Sequence, residues 1–182
     1  GSETSVKVKR VLNLQYASTP SHRPSFGSLD LYLPQTGQNF PVLFFVHGGA
    51  LVKGDKSSLA ANAVRFVEQG YAVVAVNYRL SPAAKFPAHI EDVAQAFAWA
   101  HKNIGKYGGD QKCIFVAGGS AGGYLATLLT LDARYLRKHD LDPSVIVGTI
   151  SISGLMNTEP VPAERLAQVW SRDPKVVRRA SP

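Results

Sequence analysis

A single cysteine, Cys113, is all that the 182 residues hold. One cysteine can form no disulfide within the chain and no cysteine-based metal cluster. It fits a reducing compartment without excluding an oxidising one. No apolar run approaches the roughly 20 residues of a membrane-spanning helix, so no span is expected. The N-terminus lacks the apolar region of a signal peptide. Its leading Gly1-Ser2 reads as an added scar, so an original leader and the compartment stay open, with the cytoplasm slightly favoured.

Acidic side chains are also few, 13 against 20 Lys and Arg, for a net charge of +7. The basic residues are scattered, with small groups at Lys7–Arg10, Arg134–Lys138 and Lys175–Arg179. None is interleaved with the aromatic side chains on which bases would stack. The expectation is solvated surface charge, with no nucleic-acid partner.

What is present is a run of short apolar segments with helical spacing between them. Val6–Leu14 alternates loosely and leads into a polar, proline-containing loop through Phe26. Ser28–Leu33 alternates cleanly and stops at Pro34, which suggests a strand antiparallel to the first. Pro41–Val46, Tyr71–Val76, Ile114–Ala117 and Val145–Ile152 are continuous apolar runs, as expected of strands covered on both faces. Ala60–Val67 carries helical periodicity and ends at Gly70. Ile90, Val93, Ala94, Phe97, His101 and Ile104 form one helical stripe, stopped at Gly108-Gly109. Ala121–Leu131 is a third helix, apolar nearly all round. Strands alternating with helices predict a mostly parallel sheet with helices on both faces, within one domain over residues 1–182. After Ser153 the pattern degrades. Residues 154–182 could begin a small cap or crossover segment, with Asp173-Pro174 starting a short helix.

Gly118-Gly119-Ser120-Ala121-Gly122 fits G-x-S-x-G and lies between the strand Ile114–Ala117 and the helix that follows, the context the motif requires. Small neighbours permit a sharp strand-to-helix turn that raises the Ser120 hydroxyl above the sheet edge. No Gly-Lys-Ser/Thr follows, so a phosphate loop is excluded, and the spacing fits no dinucleotide fingerprint. Ser120 is therefore the candidate nucleophile. One unit upstream, His47-Gly48-Gly49-Ala50 follows a buried strand. The N–H groups of Gly49 and Ala50, with that of Ala121, would form an oxyanion hole. His47 precedes the nucleophile and reads as a turn-stabilising residue.

These residues carry a family resemblance. Leu29-Asp30-Leu31-Tyr32-Leu33-Pro34, Val46 through Ala50, Asn77-Tyr78-Arg79-Leu80-Ser81-Pro82 and Phe86-Pro87-Ala88 come in family order. They are followed by Glu91-Asp92, Tyr107-Gly108-Gly109-Asp110 and Ala117 through Ala126. The chain resembles the α/β-hydrolase carboxylesterases of the hormone-sensitive-lipase type and their feruloyl-esterase-like, acetyl-esterase-like and kynurenine-formamidase-like relatives. Tyr124-Leu125-Ala126 looks more like the small esterases, and Ala50 stands where a third glycine is usual. The resemblance implies an α/β-hydrolase fold and hydrolysis of short-chain or aryl esters through an acyl-enzyme at Ser120, with no cofactor and no metal. It also implies scaffold roles for Tyr78, Arg79 and Asp92. His89, His101 and Cys113 read as packing residues. Two alternatives stand beside the ester hydrolase: an arylformamidase-like amide hydrolase, and a catalytically inactive binding protein of the same fold.

The acid and histidine expected after the serine are not evident. His139 is the only histidine downstream, and a helix leaving the serine would carry it roughly 28 Å away. The expectation is that a missing C-terminal segment, or a second chain, supplies both.

Overall fold

The computed structural model describes residues 6–17 and 24–182. Part of the loop expected before Phe26 lies outside the described residues, and Pro24–Gly27 forms a 3-10 turn. Six strands form one sheet: β1 Val8–Gln15, β2 Ser28–Pro34, β3 Phe40–Val46, β4 Ala72–Val76, β5 Gly109–Gly119 and β6 Ile146–Ile152. Their order is β1-β2-β4-β3-β5-β6. β2 runs antiparallel to both β1 and β4, and the remaining pairs are parallel. The α/β sheet and the antiparallel opening agree with the sequence pattern.

Alternation along β3 explains the two layers. Val42, Phe44 and Val46 join a large core containing Ile90, Val93 and Phe97 of helix α2 (Ala88–Asn103) and Leu125 and Leu129 of α3 (Ala121–Leu131). Leu43 points the other way, to Ala63 and Val67 of α1 (Ala60–Glu68). Helices thus cover both faces, as right-handed crossovers require.

One expectation needs correction. β6 was expected to be covered on both faces, but it ends the strand order. Val147, Ile150 and Ile152 are large and exposed there, each more than half so or at half. An edge strand pairs on one side only, so apolar composition alone did not report coverage. By contrast β2, whose sequence alternates apolar and polar residues, is buried throughout. Its polar face is closed by an ion pair, Lys56 Nζ to Asp30 Oδ1 at 2.9 Å, with both side chains almost fully buried. Lys56 Nζ also donates to Asn13 Oδ1 at 2.8 Å, and the Asn13 N–H donates to Asp30 Oδ1. Asn13, at φ 61, sits in the register shift of β1, which is why the periodicity of that strand looked loose.

Removing one partner from a buried pair strands the other charge, at about 3–5 kcal/mol. Asp30→Ala should therefore lower the unfolding free energy from urea titration by that much, whereas Asp30→Leu with Lys56→Met should recover most of it. Equal stability of the single variant and the parent would mean the pair contributes nothing.

The parallel register sets the position of the candidate site. Val46, the last residue of β3, pairs with Gly118 of β5, and Gly119 pairs with Ile152 of β6. The segments after β3, β5 and β6 therefore emerge side by side at the carboxyl edge, where ligands bind in open α/β sheets.

Candidate active site

Ser120 joins β5 to α3 at φ 53 and ψ −120. A non-glycine residue there carries roughly 1–3 kcal/mol of strain and persists only when its surroundings over-determine it. The surroundings are identifiable. The Ser120 N–H donates to the Ile152 carbonyl at 2.7 Å, and the Ser120 carbonyl accepts from the Tyr124 N–H at 3.0 Å. A Cβ on Gly122 would lie 2.0 Å from the Val46 carbonyl oxygen, so α3 can approach β3 only with glycine there. The Ser120 side chain is exposed, and its hydroxyl makes no hydrogen bond to another described residue.

The turn after β3 is equally constrained. Gly49 has φ 118, and a Cβ there would meet the Lys53 carbonyl oxygen at 2.0 Å. The Gly49 carbonyl accepts from the N–H groups of Val52 and Lys53. Ala50 and Leu51 follow at φ 55 and 62. Beneath the turn, the His47 ring stacks on Tyr78 at 4.5 Å, and the Tyr78 hydroxyl donates to the His47 carbonyl at 2.8 Å. His47 Nδ1 lies 2.7 Å from the Gly48 carbonyl, which can only accept, so Nδ1 carries the proton. Burial pushes the His47 pKa down and keeps the ring neutral. The described residues offer no protein acceptor for the N–H groups of Gly49, Ala50 or Ala121.

Ala50, Ser120 and Ala121 line one cavity of about 380 Å³. Gly49, the fourth residue expected at the site, is not among its lining residues. The outer wall is Leu155, Val161, Arg165 and Trp170, from the segment after β6. That segment includes α5 (Ala163–Val169) and α6 (Pro174–Arg179), capped by Asp173 as its sequence predicts. Trp170 Nε1 donates to the Tyr124 hydroxyl, which in turn donates to the Ala180 carbonyl at 2.7 Å. Thr158 reaches the Val177 carbonyl and Ser181. The sequence offered residues 154–182 as a possible cap or crossover segment; which of its residues face Ser120 depends on these distant contacts and leaves no local signal.

The remaining histidines among the described residues lie elsewhere. His89 Nε2 is 2.9 Å from the Ser81 hydroxyl, a pairing of nucleophile-and-base type. Ser81 also bonds the Ala84 carbonyl at 2.7 Å and is buried, so its proton is committed and no substrate reaches it. Burial, then the nearby Arg79 charge, pushes the His89 pKa down to about 4. Asp92 accepts from the Arg79 backbone N–H, Nε and Nη2, locking the strand-to-helix loop. His101 stacks on Phe97 and shares a separate cavity with His139. Cys113 is half-buried and free. Among the described residues no group of three or more His, Cys, Asp or Glu could hold a metal ion, and no helix is long and apolar enough to cross a membrane.

Sheet order, strained serine and turn together define an α/β-hydrolase fold. Within it, the chain belongs to the BD-FAE family, whose pattern matches residues 29–154. It is 45% identical over 99 residues to Esterase LipQ of Mycobacterium tuberculosis, covering 54% of this chain and 24% of that protein. To human Carboxylesterase 3 it is 34% identical over 154 residues, covering 76% and 26%. Among solved structures, an esterase of Pyrobaculum calidifontis superposes with a TM-score of 0.74 at 26% identity, over 96% of this chain and 60% of that one. The chain thus spans about a quarter of the length of the curated relatives it matches.

Proposed function

We propose that the protein is a serine carboxylic ester hydrolase acting on short-chain or aryl esters. One observation carries the reading: a strained, exposed serine shares a cavity with unpaired backbone N–H groups. Ser120 Oγ attacks the ester carbonyl carbon as its proton passes to a base. The carbonyl oxygen, now an oxyanion, takes hydrogen bonds from the N–H groups of Gly49, Ala50 and Ala121 beside the N-terminal end of α3. Collapse expels the alcohol, which takes up the proton, and water then releases the acid from the acyl-enzyme. The base is a histidine with its acid, brought to Ser120 by a further segment or a second chain, since none of the described histidines, His47, His89, His101 and His139, lines the cavity with Ser120.

The same oxyanion turn and serine would serve an arylformamidase, so the substrate panel decides. In an active preparation, 4-nitrophenyl butyrate and phenyl acetate should turn over with kcat/KM at least about tenfold above that for N-formylkynurenine. The reverse order would reassign the chain to formamide hydrolysis.

A further inference from the structure

The cavity beside Ser120 has walls of Leu51, Leu155, Val161 and Trp170, and one formal charge among its lining residues, Arg165. The polar atoms of its aromatic side chains are spent. Trp170 Nε1 goes to the Tyr124 hydroxyl, and that hydroxyl goes to the Ala180 carbonyl. Arg165 is not spent. Its one described hydrogen bond runs from Nη1 to Gln168 Oε1 at 3.3 Å, and no carboxylate pairs with it. Arg79 is tied to Asp92, Arg134 to Asp132, Arg137 to Asp142 and Arg178 to Glu159, whereas Arg10, Arg65, Arg172 and Arg179 share the lack of a carboxylate partner among the described residues but line no part of this cavity. Arg165 is half-buried on α5 and lines the cavity, with its hydrogen bond to the exposed Gln168 at the rim.

A guanidinium has five N–H donors in a planar fork that matches a carboxylate bidentately. Low-dielectric walls strengthen such a pair relative to one on the open surface, and the net charge of +7 draws anions toward the molecule. A single positive charge in an otherwise apolar cavity suits one negative charge on a hydrocarbon body, and a singly charged, planar carboxylate fits the fork.

Resting on the ester-hydrolase reading, we propose that Arg165 is a specificity-determining residue that binds a substrate carboxylate remote from the scissile carbonyl. The preferred substrates are then half-esters of dicarboxylic acids, with the ester carbonyl at Ser120 and the free carboxylate on Arg165. The neutral ester of the same length lacks the anchor.

The test compares the monoethyl esters of succinic, glutaric and adipic acids with the neutral ethyl alkanoates of equal chain length, by ethanol release from the active protein. At the best length, the half-ester should win in kcat/KM by about tenfold or more, the range of a hydrogen bond to a charged group. Arg165→Gln should collapse that ratio towards one, chiefly through KM. Arg165→Lys should keep part of it, because the charge stays while the fork is lost. A second measurement is independent of turnover. In the Ser120→Ala background, calorimetric binding of the best half-ester should weaken about tenfold on adding Arg165→Gln. An unchanged ratio, an equal fall for both ester classes, or binding indifferent to Arg165→Gln overturns the proposal. So does an Arg165→Lys variant no better than Arg165→Gln, which would assign the loss to shape. If binding depends on Arg165 but no ester turns over, the carboxylate site stands and the hydrolase reading falls.

Discussion

Replacing Ser120 by alanine will lower kcat by roughly 10⁶ and abolish covalent labelling by a fluorophosphonate, with the fold intact. The size follows from the unit nature of nucleophile and base, since removing the nucleophile alone forfeits nearly all that the group supplies. What survives is the roughly 10³–10⁴ over water contributed by binding and the oxyanion donors. The fold should survive because the backbone at φ 53 and ψ −120 is fixed from outside the side chain, by the Ile152 carbonyl and by the close approach of Gly122 to Val46. Alanine accepts the same dihedrals at similar cost, and the serine hydroxyl gives up no hydrogen bond to a described residue. Intact-protein mass after labelling, with a denaturation curve beside it, separates lost chemistry from lost structure. A fluorophosphonate adduct on the Ser120→Ala variant, mapped to another serine, would show that the nucleophile lies elsewhere.

The elements that position this serine were largely legible because their signals are local. Gly118 to Gly122 encodes its turn in five adjacent residues. The runs behind it carry the period of their own secondary structure, and β5 and α3 lie where that period puts them. What stayed hidden depends on residues far apart in sequence. Asp30 and Lys56 neutralise each other across two elements, so the polar positions of β2 look solvent-facing until the partner is placed. The error at β6 has the same root, since exposure at a sheet edge is set by strand order and leaves no mark on composition. Arg165 illustrates the limit most sharply. On a short helix after two prolines it reads as one surface cation among twenty Lys and Arg. Contacts between distant residues, Trp170 through Tyr124 to Ala180 and the Phe86 N–H to the Val169 carbonyl among them, fold its segment back over Ser120 and make it a cavity wall.

The turn at Gly49 should respond to substitution nearly as strongly as the serine, but with a different kinetic signature. Its φ of 118 belongs to a region that side chains rarely adopt, and a Cβ there would press to 2.0 Å of the Lys53 carbonyl oxygen. That carbonyl cannot retreat freely, because the Lys53 N–H is hydrogen-bonded back to the Gly49 carbonyl. Gly49→Ala must therefore rotate the peptide planes on either side, which swings the N–H groups of Gly49 and Ala50 away from the oxyanion position. Gly49→Pro goes further and deletes one donor outright. Loss of one such donor lowers kcat by roughly 10²–10³, because the interaction matures only as charge develops in the transition state. KM should move far less, since the ground-state carbonyl carries little of that charge. The proline variant should be the more damaged, with the alanine variant between it and the parent. Steady-state kinetics on 4-nitrophenyl butyrate, with each variant shown to be folded by its urea midpoint, give the answer. A folded Gly49→Pro enzyme with unchanged kcat would leave Ala50 and Ala121 as the only donors and remove Gly49 from the mechanism, in keeping with its absence from the cavity lining.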